Sequence, residues 1–159
     1  MIDIVTDIIL EDHLNCESKS YLRLHGQTGQ ATDYAILCSR LDARHLASAS
    51  QFLAAQSAIG GISRLAGSRF EEKVTAAAIV LDAIGAVDGL ETRFHAIERV
   101  PGDSQLGPFQ YQPIRFCRSL QPRSADHLLL AFDAFILGKL QGTCGYLSRF
   151  WHSILRTYV

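Results

Sequence analysis

Residues 73 to 116 carry three strand-like segments in close succession, and a chain built around such a run has few ways to fold. The first, KVTAAAIVL at 73–81, is short, apolar and rich in β-branched residues. Residues 84–89 read as a turn, because Asp88-Gly89 supplies the positive-φ position of a tight hairpin. LETRFHAIERV at 90–100 is the second strand. Strict alternation places Glu91, Arg93, His95 and Arg99 with Ile97 on one face, and Leu90, Thr92, Phe94, Ala96, Glu98 and Val100 on the other. Pro101-Gly102-Asp103 and Gly107-Pro108 bracket a loop before the third strand, FQYQPIRF at 109–116. Pro113 has no N–H to give a ladder, so this strand belongs at an edge or a bulge.

Helical patterns lie on both sides of the run. Residues 6–24 repeat Ile9, Leu10, Leu14, Tyr21 and Leu22 near helical spacing, with a break into two short helices at Asn15-Cys16. Residues 32–56 form the clearest helix, capped by Thr32 or Asp33, with a stripe from Tyr34, Leu37 and Leu41 to Phe52 and Leu53. Tyr21 and Tyr34 sit in apolar stripes and are expected in the core. Residues 57–72 have no clear period. A helix over 124–140, with Ser124 as N-cap and Gly142 as its stop, is apolar enough to be buried on most sides. Strands beside packed helices predict an α/β domain with a mixed or antiparallel sheet flanked by helices.

The chain has 159 residues, one domain's worth, and 48% are apolar. With 15 Lys+Arg against 16 Asp+Glu, it lacks the strongly basic coat of many nucleic-acid binders. The balance is uneven: residues 1–113 carry 9 basic and 14 acidic side chains, and residues 114–159 carry 6 and 2. Apolar runs are too short to span a bilayer, and the start lacks the pattern of a signal peptide, so a cytoplasmic protein without membrane contact is expected. Cys16, Cys38, Cys117 and Cys144 form no C-x-x-C pair, so idle thiols are expected rather than a zinc ribbon.

Three stretches together resemble the RecB-like nuclease family of the PD-(D/E)xK superfamily: LEDHLNCESKSYLRLHGQTGQATDYAIL at 10–37, RFHAIERVPGDSQLGPFQYQPIRF at 93–116 and SADHLLLAFDAFILGKLQG at 124–142. Their order and spacing cover about residues 8 to 142. The resemblance implies a PD-(D/E)xK nuclease-like core over residues 1–142 and a divergent tail over 143–159, where CGYLSRFWHSILRTYV departs from the family pattern as in a truncated gene product. Larger members join this domain to an exonuclease-like or helicase domain, which here would be a partner on another chain.

Nucleases of this superfamily hold Mg²⁺ or Mn²⁺ with an acid on one strand and an acid-x-Lys on the next, because hard cations want carboxylate oxygens. The resemblance places the first acid at His95 and the acid-x-Lys in FQYQPIRF, where Gln110 and Gln112 stand instead. Asp82 or Asp88 would have to supply a displaced acid, making His95 and Asp82 the expected metal ligands. Glu98, three residues past His95, falls on the opposite face and would not chelate with it. The helical Gln and Tyr of the superfamily correspond to His127 and to Phe132 or Asp133. Imidazole is a poor ligand for Mg²⁺ and an acceptable one for Mn²⁺. A structural His95 with one hydrogen bond is therefore the expectation for that residue.

Cys16 matches the first ligand of the iron–sulfur relatives, but only Cys117 and Cys144 lie downstream, so no cluster is expected. Lys19, Arg23 and Arg40 are the basic residues expected to face nucleic acid, DNA more than RNA. The functional expectation is a catalytically degenerate member that binds DNA or a partner domain. The alternative is an active Mg- or Mn-dependent nuclease that hydrolyses phosphodiester bonds of DNA.

Overall fold

One long strand organises the molecule. In the computed structural model, which describes residues 4–27, 29–56, 61–70, 77–117 and 121–143, this strand is β4 (Leu90–Ser104). It is preceded by β1 (Val5–Thr6), α1 (Asp7–Asn15), α2 (Glu17–Leu24), α3 (Asp33–Gln56), β2 (Ile62–Arg64) and β3 (Ile79–Val87). It is followed by β5 (Gly107–Ile114) and α4 (Ser124–Gln141). The architecture is mixed α/β, with a mixed five-stranded sheet flanked by helices.

β4 pairs antiparallel with β3 along one side, from Val87↔Leu90 to Ile79↔Glu98. Its other side is shared. β1 lies parallel to its start at Leu90 and Glu91, and β5 runs antiparallel to its end from Ala96 to Ser104. β2 adds a parallel edge beyond β3. Among the described residues β5 has β4 as its only strand partner, so Pro113 sits on an edge strand, where its missing N–H is tolerated.

Several boundaries differ from the sequence expectation, among them the third strand, which spans Gly107–Ile114 in place of 109–116. The stretch 84–87 continues β3, and only Asp88-Gly89 turn, with φ of 50° and 77°. β4 also runs on through Pro101-Gly102-Asp103, with a register irregularity between Pro101 and Ser104, so turn-forming residues here bend a strand. Residues 73–76, the first part of the expected 73–81 strand, lie outside the described residues.

Alternation also fails at one place. Phe94 and Ile97, three apart, belong to the same core cluster, and Ala96 belongs to the other. Across the ladder, Val80 and Ala83 share a cluster in the same way. The residues between are His95 and Asp82, at the one step the ladder skips between Leu81↔Ala96 and Ala83↔Phe94. Asp82 has φ of +59°, a left-handed conformation inside a strand. That local kink exchanges the faces of the sheet, which a period-2 count cannot foresee.

α1 and α2 meet at Cys16, the expected break. Thr32 caps α3 by accepting the Ala35 N–H. α4 starts one residue earlier in role than expected: Arg123 occupies the N-cap position, and Asp126 accepts its N–H at 2.8 Å. Gly142 ends α4 in the left-handed conformation, as expected. Ile136 and Leu137 of α4 pack with Val80, Ala83, Phe94, Ile97 and Tyr111. The end of α4 is pinned by Gln141, whose side-chain oxygen accepts the Tyr111 N–H and whose Nε2 donates to the Tyr111 carbonyl at 2.9 Å. One amide thus does for Tyr111 what a further strand would do.

Candidate functional site

Between Glu91, the last partner of β1, and Ala96, the first partner of β5, no strand among the described residues lies beside the outer edge of β4. Side chains fill this notch. Asp7, the first residue of α1, accepts the backbone N–H of Ile8 at 3.0 Å. His95 accepts the Phe116 N–H on Nδ1 at 3.0 Å, just after β5 ends, and stacks on the Phe116 ring.

Arg115 lies behind this edge, 8% exposed, between two acids. Its guanidinium donates to Asp133 Oδ2 at 2.9 Å and approaches Asp7 Oδ2 at 3.9 Å. Thr92 donates its hydroxyl to Asp133 Oδ1 at 2.5 Å. Asp133 is 1% exposed, and burial pushes its carboxyl up to about 6 against the pull of Arg115 and Thr92. Burial raises the Asp7 carboxyl as well, again opposed by Arg115. The network ties α1, β4, the exit of β5 and α4 to one cation.

Burial, with Arg115, His45 and Arg93 nearby, pushes the His95 imidazole down to about 3. The ring is therefore neutral near pH 7. With Nδ1 accepting a hydrogen bond, the proton sits on Nε2, so neither nitrogen offers a free lone pair. Asp82 Oδ1 is held by Arg93 Nε at 2.6 Å, a contact that raises the Arg93 pKa.

The structure therefore brings together two of the expected site residues, Asp82 and His95, and engages both elsewhere. Gln110 and Gln112 stand apart, opposite Val100 and Glu98. Gln112 Nε2 donates to Glu98 Oε2 at 3.4 Å, and Gln110 lies over Gly102, where a Cβ would come within 2.8 Å of it. Asp88 sits in the β3–β4 turn, 3.7 Å from Lys139. Lys19 and Arg23 converge on Asp12, at 2.6 and 2.5 Å. Arg40 is on the exposed part of α3, and His127 is exposed on α4.

The structure corrects the core placement of Tyr21 and Tyr34, which are 61% and 76% exposed because the helices that carry them bury little at those positions. Cys16, Cys38 and Cys117 are free thiols, and burial pushes Cys117 up to about 11. Cys144 lies outside the described residues.

Asp7, Thr92 and Arg115 were not legible as a site, and His45 was not either. His45 carries a buried Nε2 without a hydrogen-bond partner among the described residues. The available signal for the network was Asp133, a lone charge in the apolar run LLLAFDAFIL. Such a charge requires a buried partner.

Mg²⁺ and Mn²⁺ need several oxygen donors in reach. The notch is a poor fit, since Asp82 is committed to Arg93 and the lone pair of His95 to Phe116. Among the described residues, no three His, Cys, Asp or Glu side chains are grouped to hold a metal ion. No described helix is long and apolar enough to cross a membrane. No family model, curated protein sequence or solved structure matches this chain.

Proposed function

We propose that this chain is a non-cutting member of the RecB-like nuclease fold that binds nucleic acid, DNA in preference to RNA. The observation that carries the reading is the state of His95 and Asp82. They occupy the step that the β3–β4 register skips, between Leu81↔Ala96 and Ala83↔Phe94, yet a neutral imidazole and an Arg-bound carboxylate stand where the resemblance asks for free acids. The order of elements supports the same reading, with helices, then the antiparallel meander β3–β4–β5, then the buried helix α4.

Binding would run through Lys19, Arg23 and Arg40. Lys19 and Arg23 share the single carboxylate of Asp12, which leaves one positive charge on that surface. Phosphate contacts of this kind position a strand without reading its sequence. A partner domain on another chain, exonuclease or helicase, would supply any chemistry.

The test pairs cleavage with binding on labelled single- and double-stranded DNA and on RNA, with Mg²⁺, Mn²⁺ or EDTA. Salt-sensitive DNA binding without cutting, weakened in a Lys19→Glu, Arg23→Glu variant, is the expected result. Metal-dependent cutting that disappears in a His95→Ala, Asp82→Ala variant would replace the proposal with an active nuclease. Absence of both binding and cutting would overturn the nucleic-acid reading.

A further inference from the structure

The first half of α3 lacks a buried face. From Asp33 to Arg44 every residue is exposed except the half-buried Cys38. The buried positions of this helix, Ala49, Ser50 and Leu53, all fall in its second half. These exposed residues make up about three turns of helix, a length that is marginal in water by itself.

These turns are not polar throughout. Leu37 is 53% exposed and Leu41 41%, on the same line as Tyr34 and Phe52. At about 100° per residue these four fall within about 60° of arc, narrower than the stripe a helix turns to a core and close to the seam of a coiled coil. Asp33, Arg40 and Arg44 gather within about 40° on one flank of that seam.

We propose that the seam pairs two copies of this chain through antiparallel α3 helices. The one-sided flank sets the orientation. In a parallel pair each flank meets the opposite flank of its neighbour, whereas in an antiparallel two-fold pair each flank meets itself run backwards. Run backwards, Leu37 comes level with Leu41 of the second copy, and Asp33 comes within one residue of its Arg44. Acid at one end and base at the other are then complementary twice over, and the apolar positions face each other at the centre.

Sedimentation velocity on the full chain over a wide concentration range tests this. A concentration-dependent dimer is expected, abolished by Leu37→Lys with Leu41→Lys, while far-UV circular dichroism stays unchanged. Reversing one charge, Asp33→Arg or Arg44→Asp, should weaken the dimer by about fivefold, and combining the two reversals should restore it. The charge variants lie on an exposed surface and do not depend on the core. A monomer at every concentration overturns the proposal. So does a dimer indifferent to both leucine changes, or a double charge reversal that fails to rescue.

Discussion

α3 spans 24 residues and α4 spans 18, yet the shorter helix is the buried one. α4 buries eight residues, from Leu129 to Gln141, against β3, β4 and β5. α3 buries Ala49, Ser50 and Leu53, all near its end. Both helices carry Leu, Ile and Phe, so apolar content alone does not separate them. The difference lies in how polar residues are spread. In α4 a single charge, Asp133, interrupts the run from Leu128 to Leu137, and Arg115 answers it inside the core. In α3 the charges Arg40, Asp42 and Arg44 alternate with the apolar positions and leave no face wide enough to bury.

The largest way to break the α4 side is to remove its buried cation. Arg115→Ala leaves Asp133 and Asp7 without their charge partner, both of them well inside the fold. A loss of about 3–5 kcal/mol is expected, read as a lower midpoint in urea unfolding. Arg115→Met together with Asp133→Leu should recover much of it, since apolar groups of similar size need no partner. If the single variant unfolds at the wild-type midpoint, the network does not anchor α4. Next comes Gln141→Ala, which strips two hydrogen bonds from the Tyr111 backbone at the same interface. About 1–3 kcal/mol is expected, with faster hydrogen exchange at the Tyr111 amide as the local signature.

The buried half of this contrast, α4, was legible beforehand; the exposed half was not, because the α3 stripe with Tyr34 reads as a core face, and what was missed has physical causes. The meander, the edge position of β5 and the buried character of α4 follow from local pattern, which the packing left intact. The reach of β4 past Pro101 did not, because turn-forming residues there bend the strand without ending it. The face exchange at Asp82 and His95 is a backbone event at one left-handed residue, and no side-chain period records it. β1 and β2, of two and three residues, are too short to show a period at all. For the candidate site, the family resemblance pointed to His95 and to Asp82 as a displaced acid, whereas Asp7 and Arg115 are joined to it only by the tertiary fold.

Two buried titrating groups sharpen the comparison through pH. Asp133 is held above its ordinary carboxylate pKa, at about 6, so between about 4 and 6 the folded chain binds the extra proton and this group makes stability fall as pH rises. His95 is held below its ordinary value, at about 3, so between about 3 and 6.5 the unfolded chain binds the extra proton and this group makes stability rise with pH. The two slopes oppose each other. Thermal melts of Asp133→Asn should rise more steeply with pH over that window than wild type. Melts of His95→Asn, which keeps an acceptor for the Phe116 N–H, should rise less. Parallel profiles for all three proteins would mean that neither group is perturbed by its surroundings.

The smallest expected effect is the one that separates the two helices most sharply. Leu137 is 1% exposed on α4, and Leu37 is 53% exposed on α3. Leu137→Ala removes contacts with the β-sheet core and leaves a space its neighbours fill only in part, at a cost of about 2–5 kcal/mol. Leu37→Ala, measured at a concentration where the chain is monomeric, removes a side chain that already meets water and replaces it with a stronger helix former. Its effect should stay within about 0.5 kcal/mol in either direction. A loss at Leu37 as large as that at Leu137 would mean that the first half of α3 is covered within a single chain, and the division between a buried helix and an available one would fail.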